Sequence, residues 1–430
     1  MLKERVHRLN YILLCLLALF PVFSMKATVI IIIAFTVVSI FSGLIWGLKK
    51  IEKKHIWEAA ILLSPFILIF IRTAVMDRSE NALFILETSL SLFAFPIAFF
   101  LSPVNYDRTQ IDRVNLLFSL GAIFIVLFGQ IKAAFTFSKL IGPDQVWYSF
   151  SDMLHDPTFP FQFRTLFEEY VNMHPTYAGI FLGISILLLL DRFFKGYSES
   201  AVGEKLLILF SLVLSIFMQG MLASRTPILA TLVCTGLLFF IHQKRKRTAI
   251  IALGVMLVLS LLMIWKVPYF SSRFKEISFS NTKIAEGDND NSVNIRAGIL
   301  HCSSKIIKEN WAFGVGPGNI RSELNKCYAS ISKEDYVKNN YNTHNQFMDF
   351  WAGLGILGPV ALLLILIYVS VRNIKMNNPL VLCIALFFLI SMQTENILNR
   401  QNGIVVFCFF ISLYFFSKKE KIEDSGSEVF

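Results

Sequence analysis

The stretch Ala27-Thr-Val-Ile-Ile-Ile-Ile-Ala-Phe-Thr-Val-Val-Ser-Ile-Phe-Ser-Gly-Leu-Ile-Trp-Gly-Leu48 carries no charge, and Lys49, Lys50, Lys53 and Lys54 follow it almost at once. A helix needs about 20 mostly apolar residues to cross the hydrocarbon of a bilayer, and a lysine cluster at its end marks the cytoplasmic side. The same punctuation recurs in both directions, with apolar runs at 9–25, 56–75, 82–101, 114–135, 174–190, 205–219, 222–241, 249–268, 346–371, 379–397 and 402–417. The pattern predicts an all-α, polytopic membrane helical bundle of about twelve transmembrane helices, one integral membrane domain over residues 1–430.

Composition agrees. Of 430 residues 55% are hydrophobic and 16% charged, too apolar for a soluble domain of this length. The 42 Phe residues scatter through the apolar runs without a repeat, as lipid-facing and interhelical packing residues do. A net charge of +10 raises the possibility of nucleic acid, but the Lys and Arg residues gather at the ends of apolar runs, where they set topology. Lys3, Arg5 and Arg8 followed by Tyr11–Phe23 resemble a signal peptide; with no A-x-A-like site after it, the segment reads as a retained first helix.

With the N-terminus inside, the basic residues fall on one side throughout. They are Arg108 and Arg113, then Arg192, Lys195 and Lys205, the Lys244-Arg-Lys-Arg247 block, Arg372 and Lys375, and Lys418, Lys419 and Lys421 of a cytoplasmic tail at 418–430. Two longer connections then face outward, 136–173 and 269–345. In the second, Ile295, Ile299, Cys302 and Ile306 recur at helical spacing and predict an amphipathic helix over 294–310. This loop also holds Cys302 and Cys327, candidates for a disulfide in an oxidising compartment, while Cys15, Cys234, Cys383 and Cys408 lie in apolar runs as small hydrophobes.

The residue types that carry chemistry cluster on the outward side. Arg225 stands at the mouth of an apolar helix, either snorkelling to the interface or lining a polar cavity. Arg296 lies on the amphipathic loop helix, as a headgroup-facing charge or as a ligand. Gly314, Gly316 and Gly318 either offer backbone N–H groups to an anion or form a tight turn with Pro317. His344 and Asn345 stand where the long loop re-enters the bilayer; imidazole is the side chain suited to accept a proton near neutral pH, and Thr343 or Asn345 can cap the helix that follows. Gly353, Gly355 and Gly358 there would permit close helix contact. His174 opens another helix whose Gly179 and Gly183 form a G-x-x-x-G packing face. Glu395, at an outer turn, either anchors an arginine of a site or pairs only with Arg400. Asp288-Asn-Asp290 imitates a metal-binding D-x-D but suits a solvated turn, and no metal-hydrolase, nucleotide-binding or serine-esterase motif is present.

Ser224-Arg225, Arg296 ahead of Gly314-Val-Gly316, and His344-Asn345 followed by Leu354-Gly-Ile-Leu-Gly358 together resemble the O-antigen ligase and O-antigen polymerase superfamily, most strongly over 205–365. The resemblance implies metal-independent glycosyl transfer without a cofactor on the periplasmic face of a bacterial cytoplasmic membrane. A glycan would pass from an undecaprenyl diphosphate carrier to a lipid A-core sugar, another repeat unit or a protein. Arg225 and Arg296 would bind the diphosphate and His344 would act as base, with Asn345, His174, Glu395 and Gly316 in support. Members often carry an acidic residue where this chain has Gly353; Asp349 is the nearest substitute. No R-x10-G pattern follows Arg164, Arg273 or Arg296, which leans toward a ligase. The competing class is a transporter of lipid-linked glycan, which would place ionisable residues near mid-membrane.

Overall fold

The computed structural model describes residues 2–46, 53–75, 77, 79–140, 150–156, 158–196, 202–242, 292–331, 334–376 and 378–416, and among them every regular element is a helix. In chain order these are α1 (Leu2–Ala18), α2 (Met25–Trp46), α3 (Lys53–Val75), α4 (Glu80–Thr88), α5 (Ser91–Leu101) and α6 (Arg108–Leu140). There follow α7 (Phe150–His155), α8 (Phe159–Val171), α9 (Pro175–Gly196), α10 (Val202–Leu222) and α11 (Arg225–His242). The last group is α12 (Ser292–Glu309), α13 (Ile320–Ser330), α14 (Glu334–Asn339), α15 (Gln346–Leu354), α16 (Leu357–Lys375), α17 (Pro379–Ser391) and α18 (Gln401–Phe416). Among the described residues eight spans are long and apolar enough to cross a membrane, with α17 and α18 as shorter apolar helices. The expected span at 249–268, the 269–291 part of the long loop, the Lys244–Arg247 block, Asp288, Asp290 and the 418–430 tail lie outside the described residues.

Which solvent surrounds the bundle is written on α10. Leu206, Phe210, Val213 and Phe217, spaced four, three and four apart, are all about half exposed or more, while Ser211, Ser215 and Gln219 point inward and are buried. An outside more apolar than the inside is unfavourable in water and favourable in hydrocarbon. At the centre, α9 and α18 are buried nearly all round, and α17 packs between α11 and α16. Gly179 and Gly183 are a packing face: an added Cβ would come within 3.0 Å of Pro227 on α11 and 2.5 Å of Phe387 on α17. Gln219 ties the same junction by donating to the Gly179 carbonyl at 3.0 Å and to Thr231 at 2.8 Å.

Several expected boundaries move: the 9–25 run stops being α-helical at Ala18, and the 82–101 run is divided between α4 and α5. The 136–173 connection is largely helical, since α6 runs on to Leu140 and α8 lies back along it, Phe167 filling the space left by Gly129. The 379–397 run stops being helical at Ser391 and turns. The 346–371 run breaks at Gly355, whose φ of +73° only glycine adopts without strain. There the Trp311–Gly316 segment runs beside the end of α15 and satisfies its last turn: Val315 donates to the Ala352 carbonyl at 2.7 Å, Gly316 to Gly353 at 3.1 Å, and Ile356 donates to Trp311 at 2.9 Å. The glycines of this region therefore seat a loop rather than a second transmembrane helix.

Charged groups divide between the two ends of the bundle. One end holds Lys195 and His242 on either side of Asp191 at 2.6 and 3.4 Å, Arg192 on Glu204 at 2.6 Å, and Arg372 on Glu58. The other end is capped by α12, α13 and α14 around a second core of Ile299, Cys302, Ile306, Leu324, Tyr328 and Tyr336. The apolar face of α12 is the one its spacing predicts. Cys302 and Cys327 are joined by a disulfide that locks α12 to α13 across 25 residues of chain; closing such a loop contributes about 3 kcal/mol by restricting the unfolded chain. Counting reactive thiols in denaturant by mass after maleimide labelling should give four before reduction and six after it.

Candidate functional site: a cationic recess at the capped end

At the capped end, α15 begins on Asn345, whose Oδ1 accepts from the N–H groups of Phe347 and Met348 at 2.9 and 3.1 Å, satisfying two of the free donors of the first turn. Asn345 is thus a helix cap, and its side-chain amide donates at 3.2 Å to the Gln393 carbonyl. The cap turns the preceding residue sharply: His344 sits at φ +44°, its N–H held by Asn342 Oδ1 at 2.9 Å. One turn into α15, Asp349 is enclosed, and its Oδ1 accepts from Thr343 at 3.1 Å and Asn396 at 2.8 Å while Oδ2 accepts from Asn399 at 2.8 Å. Gln346 adds a backbone bond to Met392 and accepts from the Leu398 N–H. The turn between α17 and α18 is in this way strapped to the His344 loop.

The strap sets Glu395 beside His344, with Oε2 3.9 Å from Nδ1: too long for a hydrogen bond, close enough for strong attraction to a protonated ring. The other Glu395 oxygen accepts from the Tyr177 hydroxyl at 3.4 Å. Burial on its own raises the Glu395 pKa, but the His344, His174 and Arg400 charges outweigh it and hold the carboxyl below its usual range. Arg296, on α12, also falls within the field of Glu395. Crowding by protein pushes the Arg296 pKa down and the nearby Arg225 charge pushes it further, while Glu395 opposes both. Arg296 nonetheless keeps exposed surface. Arg225 is the first residue of α11, and Thr226 beside it accepts from Thr394 at 2.6 Å, fastening that helix start to the Glu395 turn.

Arg225, Arg296, Glu395 and His344 therefore form a chain of electrostatic neighbours, Arg225 acting on Arg296, Glu395 on Arg296 and His344 on Glu395, although 170 residues separate Arg225 from Glu395. Among the described residues His344 Nδ1 and Ser224 Oγ are buried without a hydrogen-bond partner. His174 joins through Glu395. Burial lowers its pKa against the raising influence of Glu168 and Glu395, with Arg164 and Arg400 also lowering it. One edge of its ring opens on a groove of about 560 Å³ bordered by Phe161, Arg164, Thr165, Glu168 and Asn172. Tyr177 was not legible as a site residue, and Arg164, weighed only for the R-x10-G pattern, is placed by donating to the Leu222 carbonyl at 2.5 Å, a contact between residues far apart in the chain.

Gly316 is placed differently from the anion cradle its spacing suggests. Its N–H bonds to Gly353, the Gly314 N–H to Asn310, the Val315 N–H to Ala352, and the Gly318 N–H to Asp77 Oδ2 at 2.8 Å. With those donors spent, the run is a tight turn held by Asp77 and by Arg72, which donates to the Gly314 carbonyl at 3.0 Å. Among the described residues no group of three or more His, Cys, Asp or Glu is placed to hold a metal ion.

Residues 210–364 match the family model described as O-antigen ligase. The matched stretch carries Arg225, Arg296 and His344, and it ends before Glu395. No curated protein matches the chain.

Two outcomes follow from the strap. Asp349→Ala would take the acceptor from the Asn399 amide and one of two or more acceptors from Thr343 and Asn396, at about 1–3 kcal/mol for a buried group left unsatisfied, and should lower the thermal midpoint of purified protein beyond the scatter of surface variants. Glu395 has a depressed folded-state pKa, so its stabilisation is present above the unfolded value near 4.5 and is lost as pH falls through the folded one. Melting curves from pH 5 to pH 3 should therefore fall less steeply in Glu395→Gln than in the wild type.

Proposed function

We propose, on the premise that residues 210–364 belong to the O-antigen ligase and polymerase superfamily, that this multi-pass membrane protein transfers a glycan in surface polysaccharide synthesis. The donor is a glycan on undecaprenyl diphosphate in a bacterial cytoplasmic membrane, and the acceptor is a sugar hydroxyl at the periplasmic face, of lipid A-core for a ligase or of another repeat unit for a polymerase. The observation that carries this reading is that Arg225 and Arg296 lie within each other's electrostatic field. Like charges near one another are unfavourable by themselves, and a dianionic diphosphate between them would turn that repulsion into attraction.

In the transfer, the acceptor oxygen bonds to the anomeric carbon of the donor sugar and the bond from that carbon to the diphosphate oxygen breaks. The electron pair leaves with the undecaprenyl diphosphate, whose growing charge the two guanidinium forks stabilise by paired N–H···O bonds. The acceptor proton passes to His344. Because its Nδ1 faces Glu395, Nε2 is the atom left to take the proton, and the Glu395 carboxylate then steadies the imidazolium. The groove beside His174 is the aqueous approach for the acceptor, while the lipid tail enters between helices.

Transfer by purified protein in nanodiscs, from a polyprenyl-diphosphate glycan to an acceptor oligosaccharide, provides the test. Arg225→Ala, Arg296→Ala and His344→Ala should each lower the rate by about 10² or more while eluting as the wild type does on gel filtration. Arg225→Lys should stay impaired, because an ammonium keeps the charge but not the planar fork. Wild-type rates in all three alanine variants would remove the case. In a deletion strain, long chains left on the carrier indicate a ligase and single repeats on the core indicate a polymerase.

A further inference from the structure

A second cavity, of about 260 Å³, has a polar lining that includes Arg321, Arg400, Asn81, Asn342 and Asn399. Phe84, Ile85 and Leu324 belong to its apolar lining. Among the described residues neither the Arg321 nor the Arg400 guanidinium makes a hydrogen bond or an ion pair within 4.0 Å. Asp349 also borders the cavity, in the field of Arg321, but it supplies at most one negative charge against two guanidiniums, and its oxygens are bonded to Thr343, Asn396 and Asn399, so the lining keeps a net positive charge. Helix α13 adds to it. Its first turn, Ile320 and Arg321, opens on the cavity, the Asn319 side chain does not cap it, and the positive end of the helix points the same way.

From this arrangement we propose a second anion subsite, one that takes a sugar unit bearing a carboxylate or a phosphate. The two uncommitted guanidiniums would grip the anionic substituent in paired N–H···O bonds, the three asparagines would meet ring hydroxyls as donor or acceptor, and the apolar lining would cover the carbon face of the ring. The volume suits one such unit and not a lipid. The subsite rests on the reading of the chain as a glycan transferase and gives that enzyme a preference for charged glycans. Arg400 links it to the transfer recess, since the same residue lies in the field of Glu395 and His174.

Binding rather than turnover tests it, so that it does not stand or fall with the transfer reaction. Full-length protein in nanodiscs is titrated with three disaccharides, one ending in glucuronate, one in a sugar phosphate and one neutral. At least one anionic probe should bind tenfold or more tighter than the neutral one, and which of the two does so tells a uronic-acid glycan from a phosphorylated one. Arg321→Gln should abolish the preference while leaving the affinity for a short-chain polyprenyl diphosphate unchanged, and Asn81→Ala should weaken all three disaccharides. Equal binding of charged and neutral probes by the wild type, or an undiminished preference in Arg321→Gln, overturns the subsite. Loss of transfer chemistry with the preference retained overturns the proposed function alone.

Discussion

The carboxylate of Asp349 gathers the capped end of the bundle. Enclosing a charge in protein costs several kcal/mol unless its oxygens are fully bonded, and here they are bonded to residues from two places far apart in the chain: Thr343, just before α15, and Asn396 and Asn399, between α17 and α18. Once that carboxylate is satisfied, the His344 loop and the Glu395 turn have little freedom relative to one another. The cap by Asn345 and the Gln346 bonds reinforce the same junction. Asp349 is a positioning residue: it serves the site through the residues it holds.

The electrostatics of the recess run against stability. Arg225 begins α11, where the positive end of the helix disfavours a cation, and Arg296 adds a second positive charge within its field. Glu395 relieves part of this but also attends His344 and His174. Such an arrangement is what the proposed diphosphate site would call for, since perturbed charge gathers at functional sites. At the other end of the bundle, among the described residues, Asp191 pairs with Lys195 and sits beside His242, Arg192 pairs with Glu204, and Arg372 with Glu58.

The glycines show how far local sequence reaches. Gly179 and Gly183 behave as a small-residue face should, because the neighbouring helices α11 and α17 are what such a face accommodates. Gly314, Gly316 and Gly355 look locally like an anion cradle and a helix contact, yet they form one junction in which a loop bonds the end of α15. Asp77 and Arg72, which hold that loop, come from more than 240 residues earlier, and a backbone N–H has no way to show in sequence whether its acceptor is a ligand or a distant carbonyl.

What the sequence by itself determined is everything that depends on solvent and on local period. Apolar length and basic punctuation settle that the chain is helical and crosses a membrane many times, and the 3.6-residue spacing of Ile295, Ile299, Cys302 and Ile306 settles the loop helix. The order of Arg225, Arg296 and His344 pointed to a family. Only the tertiary structure decided which of the singled-out residues meet, that Asn345 caps a helix, that Gly316 seats a turn, and that Arg400 and Arg321 share a cavity. The physical reason is that burial in lipid acts on each segment separately, whereas charges and hydrogen bonds act between segments, and their energy exists only once packing has brought the partners within a few ångströms.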